Sequence, residues 1–468
     1  MVRVVRVVMS ARGVRRSVVT LVCLAAVAGC SARQAGFAAP SSSPSTSFGS
    51  PTSVSGSSPS MAAIAPITGL STTISTASTP SASTLPAAAL TSLIATASTV
   101  AIAPTAPTAT TPVPPTVAIA TTPTAPTVTI ATTPDENPCI EALPLAFRAA
   151  QVVMAAVYGD ALAASAARVA GMNIGGVILM TWPAGADPAQ LAALKATASP
   201  PIMVAVDEEG GTVQRLKSLG VLPSPAKVAA SMSPAEAEAM IAAHAKAVRA
   251  LGIDIVLAPV VDVNPLVGKG PIGSRSFGSD PAIVARYAAA YVDGWESAGI
   301  LPVLKHFPGH GSASGDSHTG RVTTPPLDQL TARDLVPYTM LADRHPGVMV
   351  GHLEVPGLTD VDQKPASLSP SAITGLLRGQ LGYADALVFT DALGMDAIST
   401  RWSVPDAAVL SLIAGADVVL FASLSDTAPV IAAIEAAVGS GALASSRLDQ
   451  AVGHVLAQKR SDPCTLRP

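Results

Sequence analysis

The chain has 468 residues, of which 49% are apolar, 13% charged and 3% aromatic, with 41 prolines and a formal net charge of −3. That length allows two or three ordinary domains, or one large domain with tails. The apolar share excludes a wholly disordered chain, and the slightly acidic balance excludes nucleic acid as a partner, because phosphate binding needs clustered Lys and Arg.

Residues 1–29 read as an export signal. Arg3, Arg6, Arg12, Arg15 and Arg16 precede an apolar stretch from Val18 to Val27. A basic start, a short apolar run and small residues at its end are the pattern of a secretory signal. Val27-Ala28-Gly29-Cys30 resembles the lipobox of a bacterial lipoprotein signal. That resemblance implies cleavage before Cys30, lipidation of Cys30, and anchoring to the outer face of the cell membrane or cell wall. A plain secretory signal is the alternative. Losing residues 1–29 removes five arginines and no acid, which leaves 23 bases against 31 acids and a net charge of −8.

Residues 30–134 read as a tether. From Ser31 to Pro134 there is no Asp, Glu or Lys, and Arg33 is the one Arg. The unit Pro-Thr-Val-Ala-Ile-Ala-Thr-Thr-Pro at 115–123 recurs as Pro-Thr-Val-Thr-Ile-Ala-Thr-Thr-Pro at 126–134. Such a segment has few large side chains to offset its ordering entropy. It reads as a disordered or polyproline-like stalk and a candidate for O-glycosylation, with a small repeat of strands as the alternative. A flexible chain of this length spans roughly 55 Å root-mean-square. Cys23 leaves with the signal and Cys30 carries lipid on this reading. Cys139 and Cys464 remain, one on each side of the folded part, and a disulfide between them is expected; two free thiols are the alternative.

Residues 135–468 read as one folded domain. Apolar runs at 176–181, 202–207, 254–262, 301–306, 347–352, 386–391 and 417–421 are continuous rather than alternating. Strands buried on both faces have that appearance. Helix starts with a capping oxygen followed by proline lie at Asp187-Pro188, Ser233-Pro234, Asp280-Pro281 and Ser369-Pro370. Residues 235–251 have helical spacing. Seven or eight β–α units in about 320 residues predict an α/β fold, a (β/α)8 barrel of the TIM type. No glycine-rich phosphate loop follows a strand, which argues against a dinucleotide fold.

Several of these strands end in polar groups: Asp207, Lys305-His306, His352 and Asp391. Barrel active sites form at the C-terminal strand ends. A structural salt-bridge layer is the alternative. The densest segment is Lys305-His306-Phe307-Pro308-Gly309-His310-Gly311, followed by Asp316-Ser317-His318. An Asp that accepts from one ring nitrogen of a His fixes its tautomer and raises the basicity of the other nitrogen. Such a pair acts as general acid and then general base. The sequence has no HExxH helix, which disfavours a metal site at His306, His310 and His318. No cofactor is expected.

This segment resembles glycoside hydrolase family 3, in its bacterial β-N-acetylglucosaminidase branch. Asp207-Glu208-Glu209-Gly210-Gly211 with Gln214-Arg215 is similar to the family's sugar-binding loop. Ala258-Pro259-Val260-Val261-Asp262-Val263, Gly273-Ser274-Arg275-Ser276-Phe277-Gly278 and Thr390-Asp391-Ala392-Leu393-Gly394-Met395 follow in the family's order. The likeness covers 140–460. With the lipobox and tether it is similar to actinobacterial lipoprotein hydrolases. The resemblance implies Asp391 as nucleophile, His318 as acid/base and Asp316 as its orienting partner. It implies Asp207, Arg215, Arg275, Lys305 and His306 as ligands of the terminal sugar. Larger members carry a second α/β domain, for which little room is expected here, and many have an Asp where Ala392 stands. His352 and Glu354 are expected to hydrogen-bond neighbours rather than react.

The implied activity is that of an exo-acting retaining β-N-acetylglucosaminidase on muropeptides or disaccharides from peptidoglycan, working as a monomer. A phosphorylase or β-glucosidase on the same site, and a non-catalytic sugar-binding lipoprotein, are the alternatives. The His318 loop, 311–320, is expected to need movement to reach the reacting bond.

Overall fold

A computed structural model describes residues 137–468 other than 267. The signal, Cys30 and the tether lie outside these residues.

Eight parallel strands form one sheet: β1 (Val153–Val157), β2 (Gly176–Leu179), β3 (Met203–Val206), β4 (Ile255–Val256), β5 (Leu301–Phe307), β6 (Gly347–Val350), β7 (Val388–Thr390) and β8 (Val419–Phe421). Their spatial order is β7-β6-β5-β4-β3-β2-β1-β8. A bridge between Phe389 and Val418 joins the two ends and closes the barrel. Seven of the eight are the apolar runs read from the sequence. The eighth, β1, was not separated there. Helix Leu145–Gln151 passes into Val153–Val157 with only Val152 between them and no Gly or Pro to mark the change.

Side chains alternate across each strand. Val153, Ala155 and Val157 face the helices, while Met154 and Ala156 face inward. The inner cluster also takes Ile178, Ala205, Leu257, Met349, Phe389 and Leu420, so the barrel is filled rather than open. Large apolar residues of the surrounding helices, such as Trp295 and Tyr291, cover the outside of the sheet.

Three expected helix starts form as read. Asp187, Ser233 and Asp280 each cap a helix with proline at its first position, and Ser233 makes a reciprocal capping box with Glu236. The fourth differs. Ser371–Arg378 is a wider π-type turn, with the Gly379 amide bonded to the Thr374 carbonyl, and the Ser369 hydroxyl holds the Ala372 amide at 3.2 Å. Residues 254–262 were expected as one strand, but only Ile255–Val256 form a regular ladder. Pro259 has no N–H to give, and the ladder resumes only at Val260, which bridges Lys305. Cys139 and Cys464 are bonded, with Cα atoms 4.9 Å apart, and join the two ends of the domain.

Candidate active site

The C-terminal ends of the strands surround a cavity of about 230 Å³. Its floor is the top of the barrel interior: Ala156, Ile178, Leu257, Met349 and Leu420. All eight site residues read from the sequence line it: Asp207, Arg215, Arg275, Lys305, His306, Asp316, His318 and Asp391.

Two local irregularities aim these side chains. After Leu304, β5 contains one extra residue against β6, so Leu304 pairs with Val348 but Phe307 with Val350. A bulge of this kind breaks the alternation. Lys305 and His306 both turn to the cavity as a result. After β3, Glu208–Gly210 folds back on Val213–Gln214 as a short hairpin. Asp207 and Glu209 share its inner side. Glu208 points the other way, where it accepts from the Arg215 and Leu216 amides at 3.0 and 2.9 Å and contacts His244 Nε2 at 2.9 Å. That buried anchor fixes the hairpin. Gly210, at φ +96°, is required at the turn, because a Cβ there would lie 2.3 Å from the Pro223 carbonyl oxygen.

The charged wall is almost dry. Glu209 is fully buried and takes Arg275 through Nε at 2.7 Å and Nη2 at 2.8 Å. Lys305 Nζ lies 2.6 Å from Glu209 and 2.7 Å from Asp207, and Arg215 reaches Asp207 at 3.7 Å. Burial pushes the Glu209 carboxyl up, but Lys305 and Arg275 outweigh it and hold it at about 2. Beside this cluster His306 donates from Nδ1 to Asp262 Oδ2 at 2.7 Å, and its Nε2 accepts from Arg275 Nη2 at 3.3 Å. Asp262 also takes the His310 amide at 2.6 Å. Burial raises the Asp262 carboxyl too, yet His306 and these bonds hold it at about 2.

A carboxyl that folding depresses adds stability above its ordinary pKa and loses it as the pH falls through the folded value. The ordinary values are 4.5 for Glu209 and 3.8 for Asp262. The thermal midpoint is therefore expected to hold down to about pH 4.5 and then fall steeply toward pH 2. Glu209→Gln should flatten part of that fall. A profile for Glu209→Gln parallel to the wild type would show that Glu209 is not held as an ion pair.

Asp391 follows β7. Its Oδ1 accepts from the Ala392 amide at 2.8 Å. Burial acts to raise its carboxyl, and the His306 and His352 imidazoles, the Ala392 amide and the Lys305 ammonium bring it below the ordinary aspartate range. His352 donates from Nε2 to the Ala392 carbonyl at 3.0 Å, while Nδ1 pairs with the Ser367 hydroxyl at 2.7 Å. Burial pushes this imidazole below its usual pKa, against the pull of Asp391. Ala392 thus serves the site through its backbone amide and carbonyl.

Asp316 and His318 form the expected pair. Asp316 Oδ1 accepts from His318 Nδ1 at 2.8 Å and from its amide at 3.0 Å. Burial acts to raise the Asp316 carboxyl, and the bonds from His318 bring it below its ordinary range. The His318 side chain itself is largely exposed. The loop already lies at the cavity, because Ser317 is buried and its carbonyl accepts from the Ala397 amide, just past Asp391.

Glu209 and Asp262 stand in segments that carry the resemblance, without a role of their own, and His310 entered only through the disfavoured metal reading. Glu209 sits two residues from Asp207, which places both on one side of an extended segment. Asp262 closes an apolar run in the same way as Asp207 and Asp391.

The family model of the glycosyl hydrolase family 3 N-terminal domain matches residues 147–458. Beta-hexosaminidase LpqI of Mycobacterium tuberculosis is 48% identical over 271 residues, covering 56% of this chain and 69% of that protein. A beta-hexosaminidase of Stenotrophomonas maltophilia is 40% identical over 238 residues, covering 49% and 69%. Among solved structures, a family 3 glycosyl hydrolase of Mycobacterium smegmatis superposes with a TM-score of 0.64 at 42% identity, covering 68% of this chain and 98% of that one. A family 3 β-N-acetylglucosaminidase of Paenibacillus gives a TM-score of 0.64 at 36% identity, covering 68% and 62%. The matched span contains every residue around the cavity, and the chain belongs to glycosyl hydrolase family 3 and is a glycoside hydrolase.

Proposed function

We propose that this protein is an exo-acting, retaining β-N-acetylhexosaminidase that releases terminal β-linked N-acetylglucosamine from muropeptides or disaccharides of peptidoglycan. The observation that carries the reading is the shared cavity. The Asp391 carboxylate and the Asp316–His318 pair both open on it, beside a desolvated cluster of Asp207, Glu209, Arg275 and Lys305. The names of the relatives, beta-hexosaminidase and β-N-acetylglucosaminidase, support the same substrate class. The closed apolar floor favours entry of a glycan by its end.

In the first step the free oxygen of Asp391 attacks the anomeric carbon, and the bond to the leaving oxygen breaks. That oxygen takes the proton from His318 Nε2, leaving a glycosyl ester on Asp391. Asp316 holds Nδ1–H and stabilises the imidazolium beforehand. In the second step His318 Nε2 takes a proton from water as the water attacks the same carbon, and Asp391 leaves. Two inversions give net retention. The usual separation of two carboxylates does not apply, because an imidazole replaces one of them. Asp207, Arg215, Arg275, Lys305 and His306 bind the sugar's hydroxyls and acetamido group. Cys30 lipidation and the tether at 30–134 place this domain outside the membrane, within reach of wall fragments.

The test follows the first-formed product from a nitrophenyl N-acetyl-β-glucosaminide by NMR, and maps the peptide labelled by a 5-fluoro N-acetylglucosamine-type inhibitor. The β-anomer and a label on Asp391 are expected. The α-anomer first, or a label elsewhere, overturns the mechanism. Adding inorganic phosphate separates hydrolysis from transfer: a sugar phosphate as main product would make the protein a phosphorylase.

A further inference from the structure

The loop that carries Asp316 and His318 contains Gly309, Gly311, Gly315 and Gly320, and three of these have positive φ. Backbone pairing holds the flanks of this loop, Ser314 to Thr323 and Val322-Thr323 to Leu353-Glu354, and Gly309 and Gly311 pack against Asp334 and the Val263 carbonyl. The stretch between, with its glycines, takes its direction from side-chain ties. At its root Arg333 holds the Ser312 hydroxyl and, through Nε and Nη2, Asp334 Oδ2 at 3.0 and 2.8 Å. At its middle is the single bond from the Ala397 amide to the Ser317 carbonyl at 3.2 Å. At its far end Arg321 meets Glu354 in a two-point fork, Nε to Oε1 at 2.8 Å and Nη2 to Oε2 at 2.6 Å.

Glu354 makes a further contact. Its Oε1 takes Arg401 Nη1 at 3.2 Å. Arg401 also donates to the Gln363 carbonyl at 3.0 Å, and its guanidinium lies 4.2 Å from the centre of the Trp402 ring. Arg401 belongs to the segment that follows Asp391, and Glu354 follows β6, two residues beyond the His352 that holds the Ala392 carbonyl. One carboxylate therefore joins the His318 loop to the chain around Asp391. An isolated exposed ion pair contributes little. A planar fork shared with a second, ring-stacked guanidinium fixes direction as well as distance.

We propose that Glu354 is a positioning residue, which keeps His318 at the Asp391 cavity by holding Arg321 and Arg401 together. The inference rests on the reading of His318 as the proton donor. Glu354 touches no reacting atom. Its effect is confined to the step that needs the imidazole in place, which is protonation of the leaving oxygen.

The experiment measures kcat and KM of the full-length protein on two N-acetyl-β-glucosaminides, one with a nitrophenyl leaving group and one with an alkyl leaving group. A nitrophenolate departs with little help, whereas an alkoxide needs the proton. Glu354→Gln and Arg321→Gln are each expected to lose about tenfold in kcat on the alkyl substrate and about twofold on the nitrophenyl one, part of the ~10²–10⁴-fold that a general acid supplies. KM should change little. Arg321→Lys should recover part of the loss, since it keeps the charge without the fork. Arg321 is largely exposed, so its variants guard against a folding defect at Glu354. His318→Ala serves as reference, with the same selectivity and a larger loss. Equal losses on both substrates, or none on either, while His318→Ala stays selective, would overturn the positioning role. A His318→Ala variant without selectivity would overturn the functional reading, and the role of Glu354 with it.

Discussion

Replacing Asp391 with alanine is expected to cut kcat on a nitrophenyl N-acetyl-β-glucosaminide by at least about a thousandfold and to leave the barrel folded. Both halves follow from the surroundings of the carboxylate. Among the described residues Asp391 is in no ion pair, and its side chain accepts only from the Ala392 amide. Deleting it strands no buried cation. Its backbone keeps the bond to the Val350 carbonyl at 3.0 Å that continues the β7–β6 pairing. Unfolding by urea should therefore stay near the wild type. The chemistry has no such reserve, because the ester intermediate needs that oxygen. Azide supplies a second readout in the smaller variant Asp391→Gly. A small anion in the vacated space attacks once, from the side the carboxylate held, and yields the α-glycosyl azide. Wild-type-like turnover in Asp391→Ala, or a β-azide from Asp391→Gly, would remove Asp391 from the role of nucleophile.

The contrast between legible and illegible residues is physical. Parallel barrel strands are covered on both faces, so they read as unbroken apolar runs, and the first polar residue after each marks the rim. That rule reaches Asp207, Lys305, His306 and Asp391 without any structure. It fails where the backbone departs from regularity. The bulge in β5 turns two successive residues to one side, which no period-two pattern predicts. Asp262 closes the 254–262 run at the same rim, but that it carries His306 joins two separate strands and leaves no trace in either run. β1 is lost because alanine-rich helix and alanine-containing strand meet without punctuation. Asp316 and His318 are legible as a pair because their bond spans two residues of one turn. Their closeness to Asp391 is not, since the contacts that bring it about, Ser317 with Ala397 and Arg321 with Glu354, join distant segments through polar groups that leave no periodic trace.

Glu209→Ala is expected to damage stability and activity together, unlike the change at Asp391. The Glu209 side chain has no solvent exposure and pairs with both Arg275 and Lys305. Removing the shared partner of such a buried group leaves a desolvated charge unpaired, at a cost of about 3–5 kcal/mol. Asp207 lies within reach of Lys305 but not of Arg275 by an ion pair, so Arg275 is left without a carboxylate contact. The guanidinium then loses the fork that aims it beside His306 Nε2, and a sugar loses a preset donor. kcat/KM should fall by at least about a hundredfold, a loss of the order expected when a fixed charge in a dry site is released. Glu209→Gln keeps the shape and one acceptor, and should fall between Ala and wild type on both measures. Asp207→Ala separates the two effects. Asp207 is partly open to the cavity, and Lys305 keeps Glu209 when it is gone. Its stability loss should be smaller than that of Glu209→Ala, with a comparable loss of kcat/KM. The measurements are urea midpoints and initial rates on folded protein. A Glu209→Ala variant with an unchanged midpoint would show that solvent reaches Arg275 and Lys305, and that the charged wall is not the dry cluster on which the sugar-binding role depends.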